Sequence, residues 1–191
     1  MNSLKIRRLQ PGDSLDELTA LVHRAFAPLG REGLRCTGVD QPVETTRQRV
    51  GRGDCFVACY GGRLVGTMTM EAPDRQSDCP WFRRTDVATL HQLAVEPCSQ
   101  GCGCGRALIR HAEQWTQARG HAELALETPT RATELRAFYA SQGFRTVGHW
   151  HKAGKDYESV VLSKAIAVPP RCIDPWLAPH RLMGCGSLGP R

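Results

Sequence analysis

The spacing of apolar residues changes several times along the first part of the chain. Residues 4–9 alternate between apolar and charged side chains, as a strand does, and apolar positions then recur at helical spacing from residue 15 to residue 25. This helix is expected to fade before Pro28. Residues 28–43 are rich in proline and glycine and are predicted to form a loop, and a short polar helix is predicted over 44–52.

The central part of the chain carries the clearest local signal. Two apolar segments, 56–60 and 63–70, flank Gly61-Gly62, which is a two-residue turn able to adopt the positive φ angles of tight hairpins. A polar segment, 73–84, is predicted to be a loop. The remaining pattern predicts strands over 87–95, 122–127, 146–150 and 157–162, and helices that follow a glycine-rich segment at 100–105 and occupy 130–142.

These elements predict one mixed α/β (α+β) domain over residues 1–166, with a mostly antiparallel sheet of about seven strands and about four helices. From residue 167 the composition changes, because prolines and glycines without any apolar period fill the segment 167–191. This segment is expected to be a flexible tail.

Composition narrows the class of protein. The 191 residues include 41% hydrophobic and 23% charged residues, and no apolar run approaches the ~20 residues of a membrane span. We therefore expect a cytoplasmic protein without a membrane partner. The net charge of +6 is spread over short basic pairs, so no nucleic-acid partner is expected. The nine cysteines are an odd number in a long chain and are interpreted as reduced thiols.

The segment between the strand 87–95 and the next helix carries the chemistry. Gly101, Gly103 and Gly105 alternate with cysteines, and such spacing lets backbone N–H groups point at one spot without Cβ atoms in the way. Physically this is a cradle for a phosphate or pyrophosphate. A Walker loop and a dinucleotide fingerprint both fail, because Arg106 and Ala107 stand where those motifs need other residues. Cys98, Cys102 and Cys104 lack the second pair of a zinc site, so no metal is expected.

The letters of 100–105 match the pattern Q/R-x-x-G-x-G/A, preceded by Leu93-Ala94-Val95 and followed downstream by 138–144. In these segments the chain resembles the GNAT acyltransferases. The resemblance implies acetyl-CoA as cosubstrate and a strand, ending at Val95, that splays from its neighbour. Two sets of cofactor-binding residues follow from it. The pantetheine arm would pair with the backbone of Leu93, Ala94 and Val95, and the pyrophosphate would be held by Gln100, Gly101, Cys102, Gly103, Cys104, Gly105 and Arg106.

The reaction needs a proton acceptor for the amine and a proton donor for the departing thiolate. The resemblance places the general acid at Tyr139, whose alternative role is a core aromatic. A narrower resemblance, to the arylalkylamine acetyltransferases, places a base at His91, although their second histidine is replaced here by Thr89. The rival bases are water, Glu71 and Glu127. Many family members also have an asparagine where this chain has Ala132, which removes one expected cofactor contact.

These observations predict an N-acyltransferase that moves acetyl from acetyl-CoA to a small-molecule or peptide amine by direct attack in a ternary complex. The alternative is a non-catalytic acyl-CoA-binding module. The sequence does not identify the amine, and it leaves a homodimer open.

Overall fold

The computed structural model describes residues 3–152 and 154–167. Within these ranges it contains one seven-stranded sheet and four α-helices. The strands are β1 (Lys5–Arg8), β2 (Asp54–Tyr60), β3 (Arg63–Glu71), β4 (Val87–Val95), β5 (Glu123–Pro129), β6 (Arg145–Trp150) and β7 (Ser159–Ala165). The helices are α1 (Leu15–Arg31), α2 (Val43–Arg52), α3 (Cys104–Ala118) and α4 (Thr133–Ser141). The predicted mixed α/β class is confirmed.

The sheet is mixed, with the order β1-β2-β3-β4-β5-β7-β6. Every neighbouring pair is antiparallel except β4 and β5, which run parallel. The predicted hairpin joins β2 to β3, and both turn residues, Gly61 and Gly62, have positive φ angles of 56° and 79°. Since parallel strands need a crossover connection, α3 lies between β4 and β5 in the chain.

Each face of the sheet packs against helices, because alternate residues of a strand point to opposite sides. Val57 of β2 packs with Leu18 of α1 on one face. Its neighbour Phe56 joins the largest apolar cluster, which includes Leu108 of α3 and Tyr139 of α4. The core therefore has two layers, and the parallel pair β4 and β5 lies near its centre.

Two predicted boundaries are wrong, and one predicted loop contains a short helix. Helix α1 continues through Pro28 to Arg31, where a loop was expected; the N–H of Glu32 still donates to the carbonyl of Pro28 at 3.2 Å. Proline removes only its own donor, and the amides beyond it keep their partners. The polar segment 73–84 contains a short 3₁₀-helix, Pro80–Arg83. Strand β7 extends three residues past the predicted end because Ser163, a polar residue, is buried against Glu123.

The structure bears on the expectations about membrane spans, cysteines and the tail only within the described residues. No helix within the described ranges combines the length and apolar character that a bilayer crossing requires. The seven cysteines in those ranges are free thiols. The predicted tail lies outside the described residues from position 168 onward, so its flexibility stays a prediction.

Candidate active site

A cavity of about 680 Å³ lies where β4 and β5 separate. The two parallel strands are paired only from Val87 to Thr89 of β4, although β4 runs on to Val95 and β5 to Pro129. Beyond Thr89 the cavity occupies the gap, with α1 and α4 contributing to its walls. The sequence-predicted residues that line it are His91, Leu93, Ala94, Val95, Gln100, Gly101, Gly103, Gly105, Arg106 and Tyr139.

The register of β4 decides which of its backbone groups face this gap. The N–H of Glu96 donates to the carbonyl of Val65 at 2.9 Å, and Ala94 pairs in the same register with Thr67 of β3. Because backbone groups alternate along an antiparallel strand, those of Ala94 point to β3. The N–H and C=O groups of Leu93 and Val95 therefore point toward the gap, where β5 does not pair with them. Of these groups, the carbonyl of Val95 accepts a hydrogen bond from the side chain of Gln100, whose Nε2 lies at 3.1 Å.

An irregularity in β4 accompanies the separation of the strands. Gln92 has a φ of 54°, the only positive φ of a non-glycine residue in the described ranges, and the register with β3 shifts between Thr67 and Thr69. A bulge of this kind bends a strand and increases its twist. The Gln92 side chain is anchored, since its Nε2 donates to Oε1 of the buried Gln41 at 2.6 Å.

The glycine-rich segment forms an open turn at one end of the gap. Gly101 and Gly103 have φ angles of 76° and 86°, and a Cβ atom built on either would meet no other atom within 4 Å. Gly103 is the N-cap of α3, and the first turn of that helix has no acidic residue. Left-handed backbone, free space and a helix N-terminus suit an anionic group. The residues present therefore fit a pyrophosphate.

The two cysteines of this segment do not line the cavity. Cys102 is exposed, and Cys104 is buried in the first turn of α3. Burial raises the pKa of the Cys104 thiol to about 11. A Cβ on Gly66 would meet its Sγ at 3.2 Å, so the side chain packs against β3. Cys104 could therefore contact a ligand only through its backbone, whereas the thiol of Cys102 is open to solvent. Nowhere in residues 3–152 or 154–167 do three potential metal ligands cluster.

Acid and base groups gather at the other end of the gap. His91 Nε2 lies 3.1 Å from Thr89 Oγ1 and 3.6 Å from a carboxylate oxygen of Glu71. Burial lowers the pKa of His91, and the charges of Glu71 and Glu127 act in the opposite direction. His91 is thus held neutral, which is the form that can accept a proton. Glu127 is engaged by Lys152 Nζ at 2.6 Å and by Trp150 Nε1 at 2.8 Å.

Tyr139 belongs to the core and also lies at the wall of the cavity, and its role as general acid stays a prediction. Its ring packs edge-on against Phe144 at 5.7 Å in the core, and the residue also lines the cavity. Burial raises its pKa above the ordinary value. The hydroxyl is therefore protonated at neutral pH, but it is a weaker acid than a free phenol.

A comparison with known families decides the family to which this fold belongs. The acetyltransferase (GNAT) family model matches residues 21–144, which is more than half of the chain. The chain belongs to the GNAT family. Acetyl-CoA-dependent N-acetylation is the general reaction of GNAT acetyltransferases.

Three curated relatives illustrate the range of the family. The chain is 30% identical to the aminoglycoside N(6')-acetyltransferase type 1 of Stenotrophomonas maltophilia over 55% of its own length and 69% of the relative's. It is 23% identical to the S-(2-succino)cysteine N-acetyltransferase of Bacillus subtilis over 83% and 94% of the two chains. It is 42% identical to the ribosomal protein bS18 alanine N-acetyltransferase of Escherichia coli, but only over 31% and 40%.

Solved GNAT structures share the fold. The ribosomal-protein-S18-alanine N-acetyltransferase from Escherichia coli superposes with a TM-score of 0.66 at 22% identity, covering 90% of this chain and 99% of that one. A GNAT acetyltransferase from Elizabethkingia anophelis with acetyl-CoA bound superposes with a TM-score of 0.63 at 15% identity, covering 85% and 98%. At these identities the likeness concerns the fold alone.

Sequence reasoning missed several residues around this GNAT cavity. Arg49, in the helix predicted to be polar, lines it, as does Tyr157. Glu127, which the sequence offered as a rival base, also lines the cavity. Ala132, where many family members have asparagine, is buried in an apolar cluster with Leu29, so the lost polar contact is replaced by packing. No signal in the sequence pointed to Arg49, because the spacing of polar residues along α2 does not distinguish it from Arg47 and Arg52.

Proposed function

We propose that this GNAT protein transfers acetyl from acetyl-CoA to an amine by direct attack in a ternary complex. The observation that carries the proposal is the unpaired edge of β4, which runs from the acid and base groups at His91 to the glycine turn at Gly103. At about 3.3 Å per residue, His91 and Val95 are separated by about 13 Å of strand. An extended arm anchored at the glycine turn can therefore reach the groups around His91.

The cofactor-binding residues divide into two sets. The N–H and C=O groups of Leu93 and the N–H of Val95 are available to pair with an extended pantetheine arm, as an added strand pairs with a sheet edge. The carbonyl of Val95 already accepts a hydrogen bond from Gln100 Nε2 at 3.1 Å. Gln100, Gly101, Gly103, Gly105 and Arg106 would surround the pyrophosphate. Ala94 would contribute surface to the same cavity, while Cys102 and Cys104 would contribute backbone.

His91 is the proposed general base. It is neutral because of burial, and it lies beside Glu71, which stabilises the imidazolium formed when the histidine accepts a proton from the attacking amine. Glu127 is a poorer candidate because its two oxygens already accept hydrogen bonds from Lys152 and Trp150.

Tyr139 is the proposed general acid. When the amine attacks the thioester carbonyl and the carbon–sulfur bond breaks, the phenol can donate its proton to the departing thiolate. A simple thiol has a pKa of ~8.5, so donation from a phenol is uphill by at least about 2 kcal/mol. The burial of Tyr139 increases that cost. Formation of the amide drives the cleavage of the carbon–sulfur bond. Proton transfer from Tyr139 to the thiolate then completes the reaction.

The proposal is tested with acetyl-CoA that carries a ¹³C-labelled acetyl group and a panel of amines. The relatives' names indicate an aminoglycoside, a modified cysteine and a protein alanine as acceptors, so the panel should contain all three classes. Products are detected by mass spectrometry, because thiol reagents would also react with the exposed Cys98 and Cys102. We expect labelled amide and no acetylated enzyme. Acetyl-CoA binding without any amide would instead support a binding module.

A further inference from the structure

Arg49 has no counter-charge among the described residues. It lies in the last turn of α2 and lines the cavity, yet no carboxylate in the described ranges comes within 4.0 Å of it and its side chain makes no hydrogen bond there. Arg47, two residues earlier on the same helix, is exposed and paired with Glu44 at 3.2 Å. The sequence does not distinguish the two arginines, but the fold does.

The side chain of Arg49 is half-buried. Burial and the neighbouring charge of Arg52 lower its pKa from the ordinary value, and the charges of Glu71 and Glu127 only partly offset these effects. An arginine keeps its proton in proteins, so Arg49 remains a cation. A buried charge is costly unless a partner satisfies it, and a carboxylate that accepts two parallel hydrogen bonds is the partner that fits a guanidinium best.

Arg49 lies at the end of the cavity where the amine is expected. Arg49 and His91 line the same cavity. The segment that ends α2 packs against the end of β3, where Glu71 lies. The glycine turn is at the other end of β4, so the anionic groups of CoA are an unsuitable partner for this arginine.

The charged groups at this end of the cavity differ in sign from one side to the other. Lys152 Nζ lies 2.6 Å from a carboxylate oxygen of Glu127, while Glu71 lies 3.6 Å from the neutral His91 and forms no ion pair with a lysine or arginine of the described ranges. An ammonium group is therefore favoured beside His91 and Glu71, and an anion beside Arg49. A ligand that carries only positive charges would leave Arg49 without a partner and add repulsion.

We propose that Arg49 binds a carboxylate of the acceptor, so that the substrate is a small amine that also carries a carboxylate, as a free amino acid does. This inference rests on the proposed function. It assigns to Arg49 the task of orienting the acceptor, while the proton transfer is left to His91.

The experiment compares pairs of acceptors that differ only in the carboxylate, and substitutions at two arginines of the same helix. Wild type, Arg49→Gln, Arg49→Lys and the control Arg47→Gln are assayed with free L-amino acids and with the corresponding amino acid amides, in which the carboxylate is neutral. Wild type should have a higher kcat/KM for each free amino acid than for the corresponding amide. Arg49→Gln should lower kcat/KM for the acid by about 10- to 100-fold, the usual effect of losing a hydrogen bond to a charged group, and leave the amide nearly unchanged. Arg49→Lys should recover part of the loss, and Arg47→Gln should behave as wild type.

The outcomes separate this inference from the proposed function. If amides or amines without a carboxylate are acetylated as well as the acids, or if Arg49→Gln lowers both members of a pair equally, the carboxylate role is overturned and the acetyltransferase function stands. If Arg49→Gln raises the Kd of acetyl-CoA instead, Arg49 serves the cofactor and the inference is again wrong. If wild type acetylates no amine at all, the proposed function itself fails. Circular dichroism and the unfolding midpoint establish that each variant is folded.

Discussion

The glycine turn can be tested with two alanine substitutions that cost the same in folding and differ in binding. Gly103 and Gly62 have similar φ angles, 86° and 79°, and a Cβ at either position would meet no atom within 4 Å. Gly103 lines the cavity, whereas Gly62 lies in the hairpin turn between β2 and β3. Gly103→Ala therefore tests the site, and Gly62→Ala is its control.

The expected magnitudes follow from the backbone and from ligand linkage. An L-residue in the left-handed region costs about 1–2 kcal/mol. In a protein of this size each kcal/mol shifts the unfolding midpoint by about 2–4 °C, so both variants should lose about 2–8 °C. Acetyl-CoA at ~100 times its Kd stabilises wild type by about 2.7 kcal/mol, which corresponds to about 5–11 °C. If the new Cβ of Gly103→Ala raises Kd tenfold, the same concentration gives only about 1.4 kcal/mol.

The assay is differential scanning fluorimetry with and without acetyl-CoA, supported by isothermal titration calorimetry. Gly62→Ala should start lower than wild type and gain as much from acetyl-CoA as wild type does. Gly103→Ala should start equally low and gain about half as much or less. Wild-type affinity in a folded Gly103→Ala protein would refute the assignment of the glycine turn to the pyrophosphate.

Three further predictions concern the acid, the base and the buried polar contacts. Tyr139→Phe should lower kcat by about 10²- to 10⁴-fold while the Kd of acetyl-CoA stays near the wild-type value; a kcat within a factor of three would exclude the acid role. Because the base must be unprotonated, the lowered pKa of His91 predicts an acidic limb in the pH profile of kcat/KM. In this limb kcat/KM rises with pH, and its midpoint lies below about 6.5. Glu71→Gln should move this limb to lower pH, because Glu71 raises that pKa, and a limb that does not move would count against His91. Thr46→Val should destabilise the fold by about 1–3 kcal/mol, measured by urea unfolding, because Gln41 Nε2 donates to the Thr46 hydroxyl at 2.7 Å and would lose this buried partner; unchanged stability would contradict this.

The sequence predicted the elements whose cause is local. The hairpin followed from Gly61-Gly62, which supply the positive φ angles that the turn requires. The glycine turn followed from the same chemistry at Gly101 and Gly103. The order of strands and helices followed from the apolar period, and the family resemblance placed the cofactor cradle beside Val95.

The features that the sequence did not predict depend on contacts between distant segments. The bulge at Gln92 is held by Gln41, which is 51 residues away. Helix α1 passes Pro28 because the amides that follow still find partners within the helix. Arg49 became a candidate only when the fold placed it in the cavity and left Arg47 at the surface.

Amide hydrogen exchange followed by NMR tests directly whether acetyl-CoA occupies the gap between β4 and β5. The amides of Leu93 and Val95 face the gap, while that of Ala94 faces β3 and is an internal control. At ~100 times the Kd about one molecule in 100 is free, so exchange at Leu93 and Val95 should slow by up to about 100-fold. Ala94 should be protected with or without ligand. Exchange at Leu93 and Val95 that stays at its ligand-free rate in saturating acetyl-CoA would contradict the account.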